Sequence, residues 1–138
     1  MKVQVIRSNR KTIGLEVRAD ESVILRAPAV DEILDVEWKS ILGEFTERVN
    51  HFCKVMDVTV GRITIRNQKT RWGSCSSKGN VNFNYQLYYM PRELMDYVII
   101  HELSHRRHMN HSAEFWQEVE KYCKTYRECR KKLRDYEI

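Results

Sequence analysis

The sequence predicts an α+β fold in which a small, mostly antiparallel sheet packs on helices. Three observations lead to this class. Apolar and polar residues alternate in several short segments, and apolar residues recur at helical spacing in longer ones. With 138 residues, of which 42% are apolar, the chain can bury one sizeable core. We therefore expect residues 1–138 to form a single domain.

The first half of the chain predicts strands followed by a long helix. Three segments with alternating polarity are typical of strands: Lys2 to Arg7, Thr12 to Arg18 and Ser22 to Ala27. Residues 8–11 are typical of a turn between the first two strands. Their short connections predict a meander. Asp31 can cap a helix that runs to about Met56, because apolar residues recur there at helical spacing.

The second half predicts two further strands and three helices. The strands cover Arg62 to Arg66 and Val81 to Tyr85, and the segment RWGSCSSKG between them predicts a loop. A mostly buried helix starts at Pro91, since proline favours a first helical turn. Two more helices follow, from Ser112 to about Tyr122 and from about Thr125 to Tyr136.

The helix after Pro91 carries a motif with hydrolytic chemistry, His101-Glu102-Leu103-Ser104-His105. Residues four apart lie on one face of a helix, so both imidazoles can reach one metal ion. Glu102 sits next to that face, where its carboxylate can take a proton from a water bound to the metal. Polar groups in a buried helix need partners, and a divalent cation supplies them.

A catalytic zinc ion takes three protein ligands and leaves its fourth position open, so a third ligand is needed. His108 would share the face of His105 in an unbroken helix. His111 would reach the ion only if the helix ended near Met109 and the chain turned back at Asn110, a residue that tolerates the left-handed conformation. We favour His111, because Ser112 directly after it is a good N-cap for the next helix. The weaker alternatives are Glu118, Glu120 and Cys75.

Several segments resemble the YgjP-like family of zinc metallopeptidases, and the resemblance spans most of the chain. The matching segments are Arg71-Trp72-Gly73-Ser74-Cys75, Asn82 and Asn84, His101 to His105, Asn110-His111-Ser112 and Phe115-Trp116. The resemblance implies a zincin-like fold with an HExxH active-site helix. It also implies Zn²⁺ as cofactor, with His101, His105 and His111 as ligands and Glu102 as catalytic base. A peptide or protein would be the substrate.

The resemblance further suggests where substrate binds. Metallopeptidases of this type hold an extended peptide against an edge strand beside the HExxH helix, and the strand from Val81 to Tyr85 is the candidate. Asn82 and Asn84 on this strand, together with Arg71, are the predicted substrate-binding residues. A half-solvated strand and an arginine packed on Trp72 are the structural alternatives. Tyr85, Tyr88 and Tyr89 include candidates for stabilising an oxyanion.

The net charge of +5 and the basic C-terminal region permit a second function. The family is distantly similar to SprT-type proteases, which act on protein bound to DNA. A nucleic-acid-associated or regulatory module with a structural zinc site is therefore the alternative. Nucleic acid is a less favoured partner, because acidic residues interrupt the basic run. These are Glu118, Glu120, Glu128 and Asp135.

The cysteines and the apolar segments of the chain indicate the cellular compartment. The cysteines Cys53, Cys75, Cys123 and Cys129 form no CxxC pair, so neither a zinc ribbon nor a disulfide framework is indicated. The longest aliphatic stretch, Val98-Ile99-Ile100, is too short to span a membrane, and the N-terminus lacks the apolar stretch of a secretory signal. These features predict a cytoplasmic protein.

Overall fold

The computed structural model describes residues 3–8, 14–17, 23–28, 35–66 and 71–136. The strands in these ranges are β1 (Val3–Ser8), β2 (Gly14–Val17), β3 (Val23–Pro28), β4 (Ile63–Arg66), β5 (Gly73–Cys75) and β6 (Val81–Asn84). The helices are α1 (Asp35–Met56), α2 (Arg92–Ser104), α3 (Ala113–Tyr122) and α4 (Tyr126–Arg134), with a 3-10 helix over Tyr85–Tyr89. The α+β class is confirmed. No helix in these ranges is long and apolar enough to cross a membrane.

All six strands form one sheet in the order β1-β3-β2-β4-β6-β5. The pairs β1/β3 and β4/β6 are parallel, and the other three pairs are antiparallel, so the sheet is mostly antiparallel as predicted. The predicted meander is wrong, because β3 lies between β1 and β2 and is parallel to β1. Alternation identifies a strand and its apolar face, but it does not specify the neighbouring strand. The predicted turn over 8–11 extends outside the described residues.

The apolar stripe of α1 faces the core, as its periodicity predicts. Its buried members are Ile41, Leu42, Phe45, Val49, Phe52 and Met56. The ring of Phe45 stacks on Phe83 of β6 at a centroid distance of 5.7 Å, which fixes this helix against the sheet. The predicted cap Asp31 lies outside the described residues.

Helix α2 occupies the centre of the fold and contacts α1, α3, α4, β5 and β6. It is buried on most of its circumference from Leu94 onward, because every residue from Leu94 to Ile100 except Asp96 is apolar. The buried residues there are Leu94, Met95, Tyr97, Val98, Ile99 and Ile100. The motif helix is therefore held by the core on several sides, which fixes the direction of its polar residues.

The segment predicted as a loop between two strands contains strand β5. This strand pairs antiparallel with β6, so β6 is internal and β5 is the last strand of the sheet that the described residues form. The expectation that Val81 to Tyr85 forms an edge strand is wrong. Three residues of the composition Gly-Ser-Cys have little intrinsic strand preference. The pairing depends on β6 and on the tight turn between the strands, in which Ser76 N–H donates to the carbonyl of Asn80 at 2.9 Å.

Candidate metal centre

The turn that follows α2 brings the motif to the end of its helix. Helix α2 ends at Ser104, with His105 as C-cap, and does not run to Met109 as expected. Two arginines after the helix donate to carbonyls of distant segments. Arg106 Nε reaches the carbonyl of Thr59 at 2.8 Å, and Arg107 Nη2 reaches that of Met56 at 3.0 Å. These contacts anchor the turn that follows the helix to the segment after α1.

His111 returns to the motif through the approach to α3. Ser112 is the N-cap of α3, and its Oγ accepts a hydrogen bond from the Phe115 N–H at 3.3 Å, as predicted. The chain reverses without a left-handed residue at Asn110. Among the residues that the structure describes, Asp57 is the only non-glycine residue with a positive φ.

Three histidines converge at this place. Ligand nitrogens of His101, His105 and His111 all lie within 4.8 Å of one another, and Nε2 of His101 is 3.3 Å from Nε2 of His111. The side chain of His108 does not belong to this group. Its backbone carbonyl instead accepts a hydrogen bond from Nδ1 of His105 at 3.0 Å. The structure therefore brings together the three histidines that the sequence analysis favoured.

The surroundings of these imidazoles suit a divalent metal ion. Because Nδ1 of His105 donates to a carbonyl, its Nε2 keeps a free lone pair. Nδ1 of His101 lies 3.3 Å from the Tyr97 hydroxyl, which can orient that ring in the same way. The ring of Phe115 packs on all three imidazoles at centroid distances of 4.5–5.0 Å. Three oriented nitrogens with outer hydrogen-bond partners are a fitting donor set.

Burial keeps the imidazoles in the form that binds metal. It lowers the pKa of His101 to about 3, helped by the neighbouring His105 and His111. Burial also lowers the pKa of His105, although the hydrogen bond to the His108 carbonyl acts in the opposite direction and raises it. Neutral imidazole is the metal-binding form, so these sites need not release a proton near neutral pH.

Glu102 lies beside the three histidines and is 6% exposed. Burial raises the pKa of its carboxyl to about 8, while the charge of Arg71 acts in the opposite direction. The backbone of β5 passes directly over this side chain. A Cβ on Gly73 would lie 3.1 Å from both Cγ and Oε2 of Glu102, so only glycine permits this approach without displacement.

Two cavities meet at the histidines and share Arg71, Gly73, His101 and Glu102. The arginine cavity, of about 320 Å³, is further lined by Trp72, Tyr97, Val98, Leu133, Arg130 and Arg134. The Cys75 cavity, of about 290 Å³, is further lined by Ser74, Cys75, His105, Met109 and His111. Together they form a groove that passes across the candidate metal centre.

The predicted substrate-binding residues have different surroundings. Arg71 is exposed and lines both cavities. Asn82 donates through Nδ2 to Ser74 Oγ at 3.1 Å and thereby links β6 to β5. Asn84 is fully buried, donates to the carbonyl of Arg71 at 3.1 Å and accepts from the N–H of Gln86. Substrate binding by these three residues stays a prediction.

The other candidates do not join the group of converging nitrogens. Among the described residues, the metal-binding group includes neither Glu118 nor Glu120 nor Cys75. Glu118 pairs with Arg107 at 3.5 Å, and Cys75 lines the neighbouring cavity. The candidate oxyanion residues Tyr85, Tyr88 and Tyr89 line neither cavity and contact one another edge to face.

Four residues that adjoin the site were not among the candidates predicted from the sequence. Tyr97 precedes His101 by one helical turn, and this spacing could have revealed it as a partner of the imidazole. Gly73 could be read only as part of a loop. Arg130 and Arg134 stood out merely as members of a basic run, and only the packing of α4 on α2 brings them to the cavity.

The histidine group can hold a metal ion, and comparison with known proteins shows that the chain is a metal-dependent hydrolase and identifies its family. The family model described as "YgjP-like, metallopeptidase domain" matches residues 4–136, so the chain belongs to the YgjP-like metallopeptidase family. Among solved structures, the chain is similar to the crystal structure of the metallopeptidase zymogen of Pyrococcus abyssi abylysin. The TM-score is 0.58 at 26% identity, over 64% of this chain and 90% of the other. No curated protein matches this sequence significantly.

Proposed function

We propose that this protein is a zinc-dependent peptidase in which Glu102 is the general base. The observation that carries the proposal is the convergence of three imidazoles beside a buried carboxylate, at the floor of a groove. His101, His105 and His111 would hold the ion. Three nitrogen ligands are typical of catalytic zinc, whereas a structural zinc site is closed by four protein ligands.

The histidine group favours the catalytic function over a structural one. Within the described ranges, it comprises three ligands and no fourth cysteine, histidine or carboxylate. When bound, the ion supplies Lewis-acid activation of water and of the scissile carbonyl. The alternative of a regulatory module with a closed zinc site has less support, because two open cavities adjoin the group.

Glu102 has the position and the surroundings of a proton carrier. Its carboxylate takes a proton from the attacking water and delivers it to the leaving nitrogen. Burial favours proton uptake, and Arg71 at the rim of both cavities limits that effect through its positive charge. Tyr97 keeps the His101 ring oriented through its contact with Nδ1.

We further propose that an extended peptide pairs with the outer edge of β5, with Asn82 and Asn84 supporting that edge. Strand β5 is the last strand of the described sheet, and it lies directly against Glu102. Edge strands offer unpaired backbone groups to which a peptide can add as a further strand. Asn82 bonds to Ser74 of β5, and Asn84 bonds to the Arg71 carbonyl just before it. Arg71 itself would contact the bound peptide.

The experiment is a cleavage assay on an unbiased peptide library, read by mass spectrometry, with zinc-loaded protein. We expect cleavage that chelation abolishes and zinc restores. Glu102→Gln keeps the size of the side chain and removes the base, so it should retain zinc and lower the cleavage rate by about 100-fold or more. Full activity in Glu102→Gln would contradict the mechanism. Zinc-loaded protein that cleaves none of the library would contradict the proposed peptidase.

A further inference from the structure

The arginine cavity has an unusual balance of charge. Among the residues that the structure describes, its lining includes Arg71, Arg130 and Arg134, and Glu102 is its only acidic member. Trp72, Val98 and Leu133 supply apolar wall. The Cys75 cavity contains Arg71 but neither of the two arginines from α4. The groove is therefore asymmetric, with additional positive charge on one side of the histidines.

The two α4 arginines are available to a ligand. Within residues 39–66 and 71–136, whose side chains the structure describes, neither Arg130 nor Arg134 forms an ion pair. Other cations of this region do have carboxylate partners, such as Arg48 with Asp96 at 2.8 Å and Lys132 with Glu93 at 2.8 Å. Positive charge without an internal partner at a cavity wall favours an anionic ligand.

The guanidinium of Arg130 also has a defined position. It lies over the Trp116 ring at 4.4 Å from the centroid, and Trp116 stacks in turn on Tyr126. This stacking limits the motion of the arginine and leaves its N–H groups free to donate. Less conformational entropy is lost when such a side chain binds an anion.

The direction of β5 relates the arginines to the polarity of a bound peptide. Arg71 and Gly73 line both cavities, but the residues of this segment that line one cavity alone differ along the chain: Trp72, before β5, lines the arginine cavity, and Ser74 and Cys75 line the other. Strand β5 therefore runs from the arginine cavity toward the Cys75 cavity. A peptide antiparallel to β5 runs in the opposite direction, so residues that follow its scissile bond enter the arginine cavity.

We propose that Arg130 and Arg134 select peptides that carry a carboxylate on the C-terminal side of the cleaved bond. This specificity rests on the proposed peptidase function and on antiparallel pairing with β5. An aspartate or glutamate side chain and a free C-terminal carboxylate offer the same chemistry. A cavity of about 320 Å³ accommodates one or two residues and not a nucleic-acid duplex, so a peptide carboxylate is the favoured anion.

Binding to a variant without the base separates this specificity from catalysis. Three fluorescent hexapeptide pools are compared by anisotropy on zinc-loaded Glu102→Gln protein. The first is neutral and amidated, the second is amidated with glutamate in its last three positions, and the third is neutral with a free C-terminus. We expect the second or the third pool to bind about tenfold more tightly than the first. Preference for the second indicates a side chain, and preference for the third indicates trimming from the C-terminus.

Matched variants assign the preference to the α4 arginines. The double variant Arg130→Gln/Arg134→Gln should remove the carboxylate preference. Arg134→Gln alone, which keeps the stacking of Arg130 on Trp116 intact, should remove most of it. Lys124→Gln/Lys131→Gln removes the same charge from exposed positions outside the cavity and should keep the preference. On the active protein, the cleavage sites in the library should be followed by acidic residues or by the peptide end.

Three outcomes would overturn this inference. The first is equal binding of all three peptide pools. The second is a carboxylate preference that survives Arg130→Gln/Arg134→Gln, as it would if the carboxylate bound zinc directly. The third adds to equal peptide binding an oligonucleotide whose affinity depends on both arginines, which would assign the arginines to nucleic acid. If the pools show the preference but the active protein cleaves none of them, the proposed peptidase fails and carboxylate recognition stands.

Discussion

Gly73 and Glu102 illustrate how single residues are constrained by neighbours distant in sequence. The pair belongs to β5 and α2, and the absence of a side chain on Gly73 allows the β5 backbone to lie against the carboxylate. His101 has a comparable dependence on Tyr97, although there the two residues share one helix. The position of each functional group is therefore set by a contact that the motif alone does not include.

Gly73→Ala should lower the rate of peptide hydrolysis, and its effect on the free energy of unfolding should be the smaller of the two in energetic terms. The added Cβ would lie 3.1 Å from Glu102 Oε2 and 3.0 Å from the carbonyl of Asn82, so the carboxylate or the strand must shift by a few tenths of an ångström. Gly43→Ala is the matched control, because its Cβ would meet nothing within 4 Å. That helical substitution should raise stability by up to about 1 kcal/mol and leave the rate unchanged. Equal rates in both variants would refute the constraint.

His111→Ala should weaken zinc binding by at least about 100-fold, the upper range for losing even an outer partner of a ligand. His108→Ala should change it little, since only the backbone carbonyl of His108 contacts the group. Competition with a chromogenic chelator measures both affinities. A larger loss in His108→Ala would show that His111 is not the third ligand.

At the scale of elements, the ends of helices place two of the candidate ligands. Helix α2 stops at Ser104, and α3 begins after Ser112, so His105 and His111 flank the connection between the two helices. Arg106 and Arg107 anchor that connection to the carbonyls of Thr59 and Met56. The candidate metal centre thus combines the end of one helix with the start of the next, and both are tied to the rest of the fold.

Ser112→Ala should destabilise α3 and weaken zinc binding together. The hydroxyl caps the N–H of Phe115, and losing such a cap costs about 1 kcal/mol. Because His111 directly precedes the cap, its position becomes less defined. Denaturation of the zinc-free protein measures the first effect, and chelator competition measures the second. Ser112→Thr keeps a hydroxyl and should restore both, whereas unchanged zinc affinity in Ser112→Ala would argue against this coupling.

At the scale of the whole molecule, α2 joins the sheet to the remaining helices. Its contacts with α1, α3, α4 and two strands mean that the candidate metal centre lies where these elements meet. An ion bound there would connect α2 to the start of α3, and α4 closes the same region with Tyr126, Cys129 and Leu133 in the core. Metal binding and global stability should therefore be linked.

Zinc should raise the melting temperature of the intact protein. A ligand at 1,000 times its dissociation constant stabilises the native state by about 4 kcal/mol. For a chain of this size, that corresponds to a shift on the order of 10 °C. Scanning calorimetry with zinc and with a chelator measures the shift. His101→Ala should abolish it and His108→Ala should retain it, so identical melting of the parent in both conditions would exclude a stabilising zinc site.

The sequence by itself determined the class of fold, most strand and helix positions, and the three histidines with their adjacent glutamate. These follow from local periodicity, from four-residue spacing on a helix and from capping chemistry, all of which act over a few residues. Tertiary structure decided the order of the strands, the edge strand β5, the early end of α2, and the arrival of Arg130 and Arg134 at the cavity. Each of these depends on contacts between segments far apart in the chain, and local periodicity carries no information about such pairings.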